Sequence, residues 1–214
     1  FWVKPEKVYT EGIRHVAPLD LEFASKLGYT IKLLGIIKTS KTGPVQVTMF
    51  PSLIPNDHVL ANVSDVYNGI LVRGDVVGDT LYYGQGAGQD ATASAVLSDI
   101  GDAILDLAHG ATERIKAFNS HEANGEVRPI DDVTNCYYLR LNVIDRLGVL
   151  AKVSTILAKN KIGISSVIQP EGHEGKSVPL ILMLHYARNG AMTRALKAIN
   201  KLASVKANSV MIRV

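Results

Sequence analysis

In Tyr137-Tyr138-Leu139-Arg140-Leu141-Asn142-Val143, Tyr137, Leu139, Leu141 and Val143 alternate with Tyr138, Arg140 and Asn142, the pattern of a half-buried strand. After Asp145-Arg146-Leu147-Gly148 the period changes, and Val149, Leu150, Val153, Ile156 and Leu157 share one helical face. Working outward, residues 162–169 read as a second strand, Gly172 to Gly175 as a turn, and the Leu/Ile-rich residues 178–186 as a central strand. Asn189 caps a helix that turns Met192, Ala195, Leu196 and Ile199 inward, and residues 205–214 close as a strand. The order is βαββαβ.

Upstream, Asp20 is placed to cap a helix over residues 21–27, with Gly28 past its end. Residues 29–37 and 45–50 read as strands, Pro51 and Pro55 as the brackets of a loop, and residues 56–63 as a short capped helix. Residues 66–73 and 77–83 make a hairpin around Gly74-Asp75. Connections this short pair strands antiparallel, so one sheet of these four strands is expected, with the next helix across its face. Gly84-Gln85-Gly86-Ala87-Gly88-Gln89-Asp90-Ala91 precedes that helix, which carries Ala93, Val96, Leu97, Ile100, Ile104 and Leu107 at helical spacing. Gly86 to Ala91 spells G-x-G-x-x-A, but no second parallel strand with an acidic end follows, because the chain turns polar after His109-Gly110. The turn is either a close-packed strand-to-helix junction or a backbone contact with a ligand held mainly elsewhere.

Net charge is +3, which points to neither nucleic acid nor membrane, and one cysteine, Cys136, excludes an internal disulfide and fits a reducing cytoplasm. The abrupt Phe1-Trp2-Val3 start reads as the middle of a longer protein. The expected organisation is a first domain over residues 1–118, a polar linker over 119–135 and a second domain over 136–214.

The βαββαβ order is ferredoxin-like, and Asp145-Arg146-Leu147-Gly148-Val149-Leu150 resembles the D-x-P-G-V-L turn of ACT domains, small amino-acid-sensing modules. Val8-Tyr9-Thr10-Glu11-Gly12-Ile13, Ile31-Lys32-Leu33-Leu34, Leu53-Ile54-Pro55 with His58, Leu60 and Ala61, and Tyr83-Gly84-x-Gly86-Ala87-Gly88 with Thr92 to Val96 are similar to homoserine dehydrogenases. The resemblance implies an α+β chain: part of a substrate-dimerisation domain with an antiparallel or mixed sheet, then a ferredoxin-like ACT domain. It implies a parent oxidoreductase that interconverts L-homoserine and L-aspartate 4-semialdehyde with NADP or NAD. In that family the nucleotide-binding domain and catalytic lysine lie upstream of the stretch resembling Phe1, so no catalytic residue is expected here. Gly86, Ala87 and Gly88 would close over the nicotinamide side of the cofactor. Asp145, Leu147, Gly148, Val149 and Gln169 would hold an amino-acid effector, threonine by expectation, although Leu147 stands where the family has proline. A homodimer or higher homo-oligomer is expected, with no nucleic-acid or membrane partner.

Other candidates have plainer readings. Asp99, Asp102 and Asp106 are read as a solvated helix face rather than a metal site. His58 is read as a cap at a strand–loop junction, and His109, His121, His173 and His185 lack ligand spacing with Cys136. Arg188, Arg194, Lys197, Lys201, Lys206 and Arg213 form an acid-free run without interleaved aromatics, read as a solvated face. The alternative to the regulated enzyme is a free-standing amino-acid-binding module.

Overall fold

The alternation at residues 137–143 does become a strand, and it lies inside a larger sheet than the sequence suggests. The computed structural model describes residues 3–39, 43–111, 126–170 and 175–214. Its elements are β1 (Tyr9–Thr10), α1 (Pro18–Lys26), β2 (Tyr29–Lys38), β3 (Gln46–Pro55), β4 (Tyr67–Gly74), β5 (Gly78–Gln85) and α2 (Gln89–Ala108), then β6 (Thr134–Ile144), α3 (Val149–Lys159), β7 (Ile164–Ile168), β8 (Ser177–Arg188), α4 (Asn189–Ile199) and β9 (Val210–Arg213). Among the described residues, contacts gather those up to Pro55 with those from residue 126 onward, and gather residues 56–111 separately. The first domain expected over residues 1–118 is thus shared between both groups. Within the expected linker, residues 119–125 lie outside the described residues, Ile130–Asp132 form a 3-10 turn, and Thr134 already belongs to β6.

The larger unit holds the ferredoxin-like βαββαβ, with strand order β9-β6-β8-β7 and every neighbour antiparallel. One face of β6 and β8 packs under α3 and α4, where Tyr137, Leu139 and Leu141 meet Val153, Leu157, Met192 and Ile199. Each such side chain contributes about 1.5–3 kcal/mol by leaving water. On the other face Tyr138, Ile181 and Ile212 pack with Phe23 and Ala24 of α1 and Leu53 of β3.

Several expectations need correction. β2 and β3 do not share a sheet with the hairpin; β3 lies parallel to β9 and prolongs the ferredoxin-like sheet to seven strands, while β4 and β5 form a sheet of their own. The four-strand sheet that α2 was expected to cover does not form, and α2 buries no residue. β3 also continues through Pro51 to Pro55 instead of stopping at Phe50. Glu11 N–H donates to Met49 O, so the missing Pro51 donor faces the same side, between the residues paired with β1 (Thr48, Met49) and the one paired with β9 (Ser52). A strand tolerates proline where the ladder has such a break. The last strand is shorter than expected, beginning at Val210, with Val205 kept only as an isolated bridge to Val143. The turn expected from Gly172 has only Gly175 within the described residues.

Two buried charges fasten the added segment. Arg213 is 1% exposed; its Nη1 donates to Glu11 Oε2 at 2.7 Å and its Nη2 to Asn189 Oδ1 at 2.9 Å, with the guanidinium 4.3 Å from the Phe50 ring. Asp20, fully buried, accepts from the Ala17 N–H at 2.8 Å, which caps α1, from Arg140 at 2.5 and 2.9 Å, and from the Tyr138 hydroxyl at 3.0 Å. Asp20 is therefore the third residue of the helix, reaching back to its N-cap, and not the N-cap itself.

Burial and then the neighbouring Asp20 carboxylate raise the Tyr138 phenol far above its ordinary 10.0. Above about pH 10 the unfolded chain releases this proton while the folded chain keeps it, so stability falls as pH rises. Tyr138→Phe should cost about 1 kcal/mol near neutrality, through the lost hydrogen bond, and make the alkaline loss shallower. Urea denaturation from neutral pH into the alkaline range checks this; unchanged slopes above about pH 10 would show that Tyr138 is not the titrating group.

Candidate functional site

Two arrangements merit attention as sites, and each lies within one unit. The first is the glycine turn. β4 and β5 pair from Tyr67↔Gln85 to Gly74↔Gly78, with the Tyr67 and Tyr83 rings stacked at 4.9 Å and Arg73 donating to Asp79 at 2.6 and 2.7 Å. As the chain leaves β5, Gly86 N–H donates to Val66 O at 2.9 Å, so this donor is already used. A Cβ on Gly86 would stand 1.4 Å from Asn68 Nδ2. Gly86 thus has a reason inside the hairpin. Gly88 differs: it is the N-cap of α2 with φ +124°, and a Cβ there would meet nothing within 4 Å.

Asp90 already places a negative charge in the first turn of α2, satisfying much of what a helix N-terminus offers an anion. The turn is better suited to a carbonyl or amide than to a phosphate. β4 and β5 are antiparallel and form a sheet of two strands, so among the described residues the turn is part of no βαβ unit. Among the described residues no group of three or more His, Cys, Asp or Glu could hold a metal, Asp99, Asp102 and Asp106 included. His58 is a cap, its Nδ1 accepting from Leu60 N–H at 3.2 Å. Burial pushes the Cys136 thiol up, away from the thiolate a nucleophile needs.

The second arrangement lies where β6 runs into α3. Asp145, Leu147, Gly148, Val149 and Gln169, five residues singled out from the sequence, line one groove of about 390 Å³. Gln169 Nε2 donates to Asp145 Oδ1 at 3.1 Å. Gly148 takes φ +82° as the N-cap of α3, a conformation open to glycine at little cost; the Val149 N–H donates to Arg146 O at 3.4 Å, and the next N–H groups of the first turn have no partner within the helix. Leu147 is 100% exposed. Asp145 itself is anchored, its N–H donating to Lys176 O at 2.8 Å and its carbonyl accepting from Gly175 N–H at 2.9 Å. Helix N–H groups suit a carboxylate, and Asp145 suits an ammonium. Val143, Ile144, Arg146, Leu150 and Leu180 complete the lining and were not anticipated. The alternation of β6 could have flagged Val143, but Leu180 enters only through strand register.

Of the acid-free basic run, Arg213 is buried and Arg188 lies 3.7 Å from Asp132, so neither is a free surface cation. His121 and His173 lie outside the described residues.

The family model for homoserine dehydrogenase matches residues 1–100. The chain is 38% identical to homoserine dehydrogenases of Pseudomonas aeruginosa, over 98% of this chain and 49% of the relative, and of Helicobacter pylori, over 98% and 48%. A crystal structure of a homoserine dehydrogenase from Thiobacillus denitrificans superposes with TM-score 0.85 at 38% identity, covering 97% of this chain and 47% of that one. The chain spans about half the length of the curated relatives it matches.

The geometry ranks the glycines in an order that crowding alone would reverse. Asn68 is exposed and can swing away from a Gly86→Ala methyl, whereas Gly88→Ala keeps its φ of +124° whatever the space. Gly88→Ala should destabilise the start of α2 by about 1–3 kcal/mol and Gly86→Ala by about 1 or less. Hydrogen exchange of the first α2 amides measures both, and a larger effect at Gly86 would overturn the ranking.

Proposed function

The chain belongs to the homoserine dehydrogenase family, and from that premise we propose that it is the C-terminal part of an NAD(P)-dependent oxidoreductase interconverting L-homoserine and L-aspartate 4-semialdehyde in threonine and methionine biosynthesis. The observation that carries this reading is the likeness itself, which runs through the glycine turn and the βαββαβ unit alike, over 97–98% of the chain. The nicotinamide supplies the hydride acceptor or donor when bound. Residues of this chain would act around it. Gly88 leaves space beside the α2 N-terminus for a carbonyl or amide edge, and Gly86 holds the hairpin that positions the turn. Because the chain spans about half the length of the relatives it matches, we propose that it is inactive alone, and that NAD or NADP is bound mainly by the remainder of the enzyme.

The βαββαβ unit is proposed as an ACT regulatory domain. The α-carboxylate of an amino acid would sit on the first-turn N–H groups of α3 beyond Gly148. Its ammonium would meet Asp145, and its side chain would reach Gln169. The groove at Asp145 has the dimensions of a small-molecule site. Threonine is the proposed effector. A cytoplasmic homodimer is also proposed, because among the described residues β2 pairs with β3 alone, leaving its other edge open, and presents Ile37, 72% exposed, and Leu33, 48% exposed.

Calorimetric titration of threonine into the chain, with lysine and methionine as controls, should give a dissociation constant in roughly the micromolar-to-millimolar range, about −4 to −8 kcal/mol. Asp145→Ala with Gln169→Ala should abolish the heat, and its survival would place the effector elsewhere. In the complete enzyme Gly88→Val should lower kcat/KM by tens-fold or more, about 2 kcal/mol or above. Wild-type kinetics in a folded Gly88→Val enzyme would leave the turn a purely structural role, and homoserine-dependent NAD(P)H formation by this chain alone would refute its proposed inactivity.

A further inference from the structure

A second groove, of about 460 Å³, lies in the larger unit between the stretch from Glu6 to Thr10 and the strap from Val127 to Ile130. Both walls are tied to the sheet. β1 pairs with β3, and the strap is held by Val45 N–H donating to Glu126 O and Arg128 N–H donating to Val45 O, each at 2.8 Å. Tyr9 lines the groove with its hydroxyl committed to Glu11 at 3.1 Å and its ring 5.4 Å from the buried Arg213 guanidinium.

Three charged side chains line the groove: Glu6, Lys7 and Arg128. None of them makes a side-chain hydrogen bond or ion pair to the described residues, in contrast to Asp20, Glu11 and Arg140 elsewhere in the same unit. Arg128 is half-buried, and a guanidinium that gives up hydration without an anion beside it is unfavourable until one arrives. Val8, Val127, Pro129 and Ile130 supply an apolar wall next to these charges. Charges of both signs beside an aliphatic surface match one kind of small molecule.

We propose that this groove is a second ligand site, for a zwitterionic amino acid with an aliphatic side chain. The carboxylate pairs with Arg128 and Lys7, the ammonium with Glu6, and the side chain lies on Val8, Val127 and Ile130. The site shares no residue with the groove at Asp145, so it stands whether or not that groove takes threonine.

The probe is L-leucine, titrated calorimetrically into the chain as it exists. Arg128→Gln and Glu6→Gln should each weaken binding at least about tenfold, while Asp145→Ala leaves it unchanged. Because neither substituted side chain has a partner among the described residues, both variants should melt at the wild-type temperature, so lost binding is not lost folding. 4-Methylpentanoate and 3-methylbutylamine, each lacking one charge, should bind at least about tenfold more weakly than leucine. Absence of leucine binding, or binding indifferent to Arg128→Gln, overturns the proposal. Loss in Asp145→Ala but not in Arg128→Gln assigns leucine to the other groove and overturns it as well. Equal binding of 4-methylpentanoate overturns the assignment to a zwitterion.

Discussion

The guanidinium of Arg213 is the joint on which the larger unit depends. A buried cation is tolerated only when paired and hydrogen-bonded, and its partners come from three places: Glu11 beyond β1, Asn189 at the start of α4, and the Phe50 ring of β3. Removing Glu11 would leave the buried charge uncompensated, whereas the partly exposed Glu11 keeps Tyr9 and His15 beside it if Arg213 is removed. The contact therefore specifies one docking of the N-terminal segment against the last strand. Asp20 repeats the device one layer away, joining the cap of α1 to Arg140 and Tyr138 on β6. Between these two fastenings, apolar packing of Phe23, Leu53 and Ile212 fills the face that α3 and α4 leave uncovered.

Much of this was legible in the chain. The period-two run at Tyr137, Leu139, Leu141 and Val143 and the helical spacing at Val149, Val153 and Leu157 specify a strand and a helix that the core then uses as expected. The partner of β3 was not legible. Local reasoning pairs neighbouring strands, whereas Ser52 faces Arg213 in a parallel bridge that no turn signal announces. Pro51 misled for a related reason: proline ends a strand only when its missing donor is needed, and here the ladder is broken beside it. Nor does spacing reveal that Arg213 is buried, since the acid-free run around it reads as surface.

The two anticipated sites fared differently. The residues around Asp145 come together because they are close in sequence, apart from Gln169, which β7 delivers at its end. At the glycine turn the structure separates two residues that the motif treats alike. Gly86 answers to Asn68 in its own hairpin, and Gly88 answers to its backbone angle and to open space. A glycine motif is thus a sum of separate demands on separate residues.

The position of β9 also bears on the order in which the protein can assemble. Ser52 and Arg213 lie about 160 residues apart in the chain, and contacts at such separation close slowly because so much loop entropy must be lost first. β6, α3, β8 and α4 can collapse among themselves with short connections. β3, however, finds its inner edge only after β9 has joined β6. The early segment must therefore wait, with Phe50, Leu53 and Ile54 uncovered, until the late one has folded. Apolar surface held open in this way is where a folding chain is exposed to aggregation.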